Sequence, residues 1–145
     1  MTADTTTFAG FSHVAVQVDD LDAALAFYCD VLGFEVLPRP EEFGPGAWLQ
    51  VGAGQLHIGV VDQMPEQGRG FPPHFALHVP ADVYDATIDA IAERGIPFTM
   101  GPSAREDFGR PVRAAFIQDP AGNTIELTDV DPAPGISSPE DCAKS

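Results

Sequence analysis

FSHVAVQV at residues 11–18 and PPHFALHV at residues 72–79 decide how this chain is read. With His13 set on His74, Ala15 falls on Ala76, Val16 on Leu77 and Val18 on Val79. The likeness continues outward from both stretches. A helix-like segment follows each and ends at Gly33 in one half and Gly95 in the other. Next come apolar runs, FEVL and IPF. Each half then closes on a glycine-containing turn and a last strand-like run: GAGQLHIGV (52–60) with His57, and PAGNTIELTDV (120–130) with Glu126. The step between the copies grows from 61 residues at His13 and His74, to 62 at the two glycines, to 69 at His57 and Glu126, as expected when loops absorb insertions.

Local patterns assign the elements. His13, Ala15 and Gln17 alternate with Val14, Val16 and Val18, the two-residue period of a strand with one apolar face. Asp19 and Asp20 suit a helix N-cap, and Leu21, Leu25, Tyr28 and Leu32 then recur at helical spacing up to Gly33. Residues 34–38 read as a strand, 39–46 as a loop, and AWLQV with QLHIGVV as a hairpin turning at Gly52 to Gly54. The second half repeats this order. Its helix is marked by Tyr84, Ile88 and Ile91, IPFTM (96–100) reads as a strand and 101–111 as a loop. VRAAFIQ and NTIELTDV form a hairpin through DPAG, where Asp119, Pro120 and Gly122 are turn residues. The expected fold is therefore α+β: two βαβββ modules forming a curved, mixed-sheet cup with helices on its outer face. The boundaries are a flexible N-terminus at 1–10, one domain at 11–130 (modules 11–61 and 74–130, link 62–73) and a flexible tail at 131–145.

Bulk properties narrow the function. Apolar residues make up 44% and charged residues 20%, suiting a folded protein with a core. The net charge of −15, with 7 Lys and Arg against 22 Asp and Glu, argues against nucleic acid and anionic membrane as partners. Cys29 and Cys142 suggest no disulfide framework. No apolar run reaches membrane-spanning length. The opening MTADTTTF lacks the regions of a signal peptide, so a cytoplasmic location is expected.

The chemistry is expected from four residues at the two repeat-equivalent positions, His13 with His57 and His74 with Glu126. Single ligands on separate strands can converge on one ion, because every second residue of a strand points the same way. Apolar neighbours on the opposite face, such as Val14 beside His13 and Ile125 beside Glu126, aim these side chains away from the helix-packed layer. Three imidazoles and a carboxylate suit one divalent transition metal, Zn, Ni, Co, Fe(II) or Mn, better than Mg or Ca. His78 shares the His74 face but lies four residues along, roughly 13 Å away, and reads as cavity lining. Trp48 is a second candidate lining residue. Arg110 and Arg113 are candidates for binding a substrate carboxylate or phosphate. The rim loops 39–46 and 102–111 resemble each other through FGPG and FGRP.

On these residues the chain resembles the vicinal oxygen chelate superfamily, which includes glyoxalase I, methylmalonyl-CoA epimerase, extradiol dioxygenases and bleomycin-resistance proteins. SHVAVQVDDLDAALAFYCDVLGF, HFALHV and DPAGNTIEL carry the resemblance, which spans residues 11–130. It implies a cup around a divalent metal, often in a homodimer, with metal positions matching His13, His57, His74 and Glu126. The family's enzymes with three ligands match His13, His74 and Glu126. Where a fourth ligand is used, the position of His57 usually carries Glu or Gln, so His57 is a departure that leaves Glu126 as the one carboxylate able to move a proton. The expected function is a metal-dependent glyoxalase-like enzyme binding a small substrate through vicinal oxygens, with lyase, isomerase or thiol-addition chemistry and Glu126 as catalytic base. The alternatives are an Fe(II) extradiol-type dioxygenase and a non-catalytic, bleomycin-resistance-type binding protein.

Overall fold

The computed structural model describes residues 8–106 and 111–132. The chain divides into two units, residues 1–64 and 65–145, with the boundary inside the expected link. Each unit has the order strand, helix, three strands.

In the first unit the strands are β1 (His13–Val18), β2 (Glu35–Leu37), β3 (Gly46–Val51) and β4 (Gly54–Val60). They form one mixed sheet in the order β1-β4-β3-β2, with β1 parallel to β4 and the other pairs antiparallel. Alternation decides the faces. Val14, Val16, Ala47, Leu49, Leu56 and Ile58 share the core side, and Leu49, Leu56 and Ile58 are almost wholly buried with Val18. His13, Ala15, Trp48 and His57 take the other side.

Helix α1 (Leu21–Leu25) starts where expected. Asp20 is extended, and its Oδ1 accepts from the Ala23 N–H at 3.0 Å, satisfying an otherwise orphaned donor. The helix then widens into a π turn over Ala26–Val31. Of the expected face, Tyr28 is buried and Leu21, Leu25 and Leu32 are half-buried, while Ala24 and Phe27 complete the buried side. Phe27 meets Tyr28 edge-on, and Phe34 stacks on Tyr28. Gly33 ends the segment with φ +81°, a conformation that disfavours a side chain.

The second unit repeats the plan with β5 (His74–His78), α2 (Tyr84–Glu93), β6 (Met100–Arg105), β7 (Val112–Gln118) and β8 (Thr124–Thr128), in the order β5-β8-β7-β6. Ala115, Ile117, Ile125 and Leu127 form the core face, against Tyr84, Ile88 and Ile91 of α2. The Tyr84 hydroxyl donates to the Leu127 carbonyl at 2.9 Å, tying helix to sheet. Asp119 organises the β7–β8 turn as expected, accepting from the Ala121 and Asn123 backbone N–H groups, each at 2.9 Å.

One strand is displaced from its expected place. β6 occupies 100–105, where Gly101, Pro102 and Ser103 suggested a loop, rather than 96–100. It is an edge strand, exposed along its length, with a register shift between Met100 and Ser103. An edge needs no outward hydrogen bonds, so it tolerates proline and glycine that an inner strand would not.

Two glycines meet across the β3–β4 ladder, Gly46 opposite Gly59. A Cβ at Gly46 would strike the Ile58 carbonyl oxygen and lie 2.9 Å from Arg39 Nη2, whereas one at Gly59 meets nothing within 4 Å. Gly46→Ala should therefore lose about 1–3 kcal/mol from overpacking. Gly59→Ala should be neutral or gain up to about 1 kcal/mol from the reduced entropy of the unfolded chain. Urea denaturation of both variants checks the contrast. Tyr84 supplies a second prediction. Burial, followed by the Asp129 charge, pushes its pKa up to about 12 from the usual 10. The folded state thus holds the phenolic proton that the unfolded chain releases, and stability should decline as pH rises from 10 towards 12. Tyr84→Phe should lose this alkaline component and cost about 1 kcal/mol at neutral pH.

Candidate metal centre

The parallel registers place the four candidate ligands. Ala15 lies opposite His57, and Ala76 opposite Glu126. His13 and His74 sit two residues earlier on their strands, so each is the diagonal neighbour of the partner residue on the same face. Trp48 faces His57 from β3, and Phe116 faces Glu126 from β7. Position for position, the two faces are copies.

In the second unit the pair is close. His74 Nε2 lies 3.4 Å from Glu126 Oε2, with both side chains about a quarter exposed. His74 Nδ1 lies 3.1 Å from the Pro72 carbonyl oxygen. A carbonyl only accepts, so Nδ1 carries the proton, and in the neutral ring Nε2 presents its lone pair towards the carboxylate. Phe71 and Phe116 pack edge-on against the imidazole, with centroids 5.2 and 5.3 Å away. Thr124, opposite His74 on β8 and facing the same side, is buried, and its hydroxyl has no hydrogen-bond partner among the described residues.

The first unit is arranged differently. His13 and His57 stack with centroids 3.9 Å apart and planes 12° from parallel. Trp48 stacks on His57 at 4.6 Å and 15°, so the His57 ring is held between the two. Its Nε2 lies 2.8 Å from Gln55 Oε1. Burial first, then His13 and Arg39, hold its pKa below the usual 6.5, so His57 is neutral at pH 7.

The residues can be tested against a divalent metal. Two ligands 3.4 Å apart match neighbouring corners of a tetrahedral shell with bonds of about 2.1 Å. The proton on His74 Nδ1 and its carbonyl acceptor are the outer support usual for a ligating histidine. The second pair fits as it stands. In the first, the lone pairs of two stacked rings lie in separate, near-parallel planes, and one ring must turn before both can reach one ion. Among the described residues no three of His, Cys, Asp and Glu gather into a metal-holding group; the ligands occur as one pair in each unit.

The other candidates separate. Trp48 is on the ligand face. His78 is on that face of β5, exposed, opposite Thr128 and apart from the pair. Arg113 is not available as expected for a substrate anion. It points to the opposite, helix-side face of β7, where Nε donates to Asp129 Oδ2 at 3.0 Å, Nη1 to Asp85 Oδ1 at 2.8 Å and Nη2 to the Ala81 carbonyl at 2.8 Å. Its guanidinium also lies 4.5 Å from the centre of the Tyr84 ring. Burial opposes the Asp129 charge, but the bonds from Arg113 outweigh it and hold that carboxyl below its ordinary range. Arg110, with Phe108 and Gly109 of the FGRP stretch, lies outside the described residues.

Sequence reading missed Arg39. Its guanidinium donates to the Phe43 and Gly44 carbonyls, lies 5.8 Å from the Phe43 ring centre and acts electrostatically on His57. Carrying the β2–β3 register beyond Leu37 opposite Trp48 would have found it, because residue 39 then falls opposite residue 46 on the ligand face.

Comparison with known proteins bears on the family and the fold. Residues 10–127 match the model of the Glyoxalase/Bleomycin resistance protein/Dioxygenase superfamily. A Synechocystis protein named "Probable lactoylglutathione lyase" is 34% identical over 125 residues, covering 79% of this chain and 91% of the relative. The Arabidopsis thaliana "Lactoylglutathione lyase GLX1" is 32% identical over 135 residues, covering 86% of this chain; the chain spans 45% of that longer relative. Among solved structures, a glyoxalase family protein from Bacillus anthracis is 29% identical with a TM-score of 0.69, covering 86% of this chain and 98% of the other. No helix among the described residues is long and apolar enough to cross a membrane. By matched length, identity and fold, the chain belongs to the Glyoxalase/Bleomycin resistance protein/Dioxygenase superfamily.

Proposed function

We propose that this chain is a metal-dependent, glyoxalase-like enzyme that isomerises or cleaves a small substrate bound through vicinal oxygens. His13, His57, His74 and Glu126 are the proposed metal ligands. The observation that carries the reading is the His74–Glu126 pair, with Nε2 and Oε2 3.4 Å apart and the far side of the imidazole anchored on Pro72. A divalent transition metal held there would polarise a substrate carbonyl and stabilise the enolate-like charge that forms when a neighbouring carbon loses its proton.

The chain's own residues supply the rest. Glu126 is the one carboxylate in the two pairs, so it takes the proton from carbon and returns it. His74, anchored on the Pro72 carbonyl, would supply the neighbouring donor to the same ion. Phe71 and Phe116 shield the pair with apolar edges, limiting water where charge develops. A homodimer and a cytoplasmic location belong to the same proposal, as does a small-molecule substrate as partner.

A second reading is favoured by one specific feature. His57 is held between two rings with Nε2 on Gln55, and setting it aside leaves His13, His74 and Glu126, two histidines and a carboxylate. That set suits an Fe(II) extradiol-type dioxygenase.

The lactoylglutathione lyases among the relatives suggest the first assay, thioester formation from methylglyoxal and glutathione. Turnover should be abolished by EDTA and restored by added Zn, Ni or Co. Glu126→Gln should lower kcat by about 10²–10⁴-fold with a much smaller change in KM. Oxygen uptake with a catechol, but no thioester, would move the assignment to the dioxygenase. Turnover indifferent to both EDTA and Glu126→Gln would refute the metal–carboxylate account.

A further inference from the structure

The ligand face of the first unit carries a cation that the proposed chemistry does not use. Arg39 lies opposite Gly46 when the β2–β3 register is continued, on the side that holds Trp48 and His57. Gly46 pairs in turn with Gly59, so two adjacent positions on this face have no side chain. Neither glycine has a left-handed φ. Packing explains Gly46, whose missing Cβ leaves room for the Arg39 guanidinium. Packing does not explain Gly59, where a Cβ would meet nothing within 4 Å. A strand glycine weakens the strand, and bare strand backbone beneath open space is where a ligand can approach closely.

The guanidinium is fixed but not neutralised. Its bonds to the Phe43 and Gly44 carbonyls use two of its five N–H groups, and its buried Nε has no partner. Among the described residues, no carboxylate forms an ion pair with it, in a chain with 22 acidic residues against 7 basic ones. Phe43 and Trp48 lie with centroids 5.8 Å apart beside it, offering apolar surface. A preset guanidinium, two aromatic rings and an uncovered floor match an oxyanion carried on a planar or apolar body.

We propose that Arg39, Phe43, Trp48 and the bare backbone at Gly59 form a subsite for the anionic end, a carboxylate or phosphate, of the molecule this chain acts on. The subsite fixes the substrate class for the glyoxalase-like reading on which it rests, while the binding itself requires no turnover.

Trp48 is the single tryptophan, so intrinsic fluorescence reports directly on this place. Benzoate, phenyl phosphate and the neutral benzamide are titrated into the full chain in EDTA. Saturable quenching is expected at about tenfold lower concentration for at least one anion than for benzamide, and the tighter anion identifies the group. Arg39→Gln should abolish that preference and leave benzamide unchanged. Gly59→Leu, which covers the floor, should weaken all three probes while its Tm holds or rises. Equal binding of benzoate, phenyl phosphate and benzamide by the parent overturns the proposal. So does parental anion affinity in folded Arg39→Gln. Should Arg39→Gln lose the loop and unfold, Gly59→Leu decides, with parental affinity overturning the subsite. An Arg39-dependent anion preference in a chain without turnover refutes the enzyme and keeps the subsite; turnover without the preference does the reverse.

Discussion

The parallel pairing of the first and last strands of each module is the constraint from which the rest follows. It is set twice, by Ala15 opposite His57 and by Ala76 opposite Glu126. Because strand side chains alternate, a slip of one residue in either register would turn His57 or Glu126 into the apolar core, where an unpartnered carboxylate is costly. The valines and leucines packed beneath the helices thus fix the polar face as firmly as they fix the core. Leu56 and Ile58 hold His57 outward; Ile125 and Leu127 do the same for Glu126.

The copies share a register but differ in the interactions they support. In the second unit, an imidazole anchored by a backbone carbonyl faces a carboxylate, and aromatic edges surround the pair. In the first, the equivalent carboxylate position is His57, and the neutral ring stacks between His13 and Trp48. Burial favours the uncharged ring, and His13 and Arg39 push the same way. The second unit thus presents a histidine beside a carboxylate, the first flat aromatic surface with a fixed cation at its side.

Much of this was legible in the sequence because it depends on periodicity and local turn chemistry. The alternation around His13 and His74, the Asp20 cap, the stops at Gly33 and Gly95 and the Asp119 turn all follow from short-range rules, and the four positions proposed as ligands were chosen from the repeat. What was not legible depends on tertiary context. β6 is an edge strand, and Gly101–Pro102–Ser103 has loop composition that only an edge position tolerates. Arg113 looked available because its partners, Asp85 and Asp129, lie 28 and 16 residues away in sequence. The π turn, which adds Phe27 to the buried face beside the expected Tyr28, was not foreseen. Arg39 was hidden in a Pro- and Gly-rich loop, although strand register alone would have placed it on the ligand face.

The central claim is that two donor pairs, one from each module, serve a single metal ion. Its most direct test is the stoichiometry of Co(II) binding to chelator-stripped protein, followed by calorimetry and visible absorption. The account predicts close to one cobalt per chain, lost in His13→Ala and in His74→Ala alike. Two ions per chain, each abolished by only one of these substitutions, would show independent half-sites. That result, or no binding at all, would contradict the account.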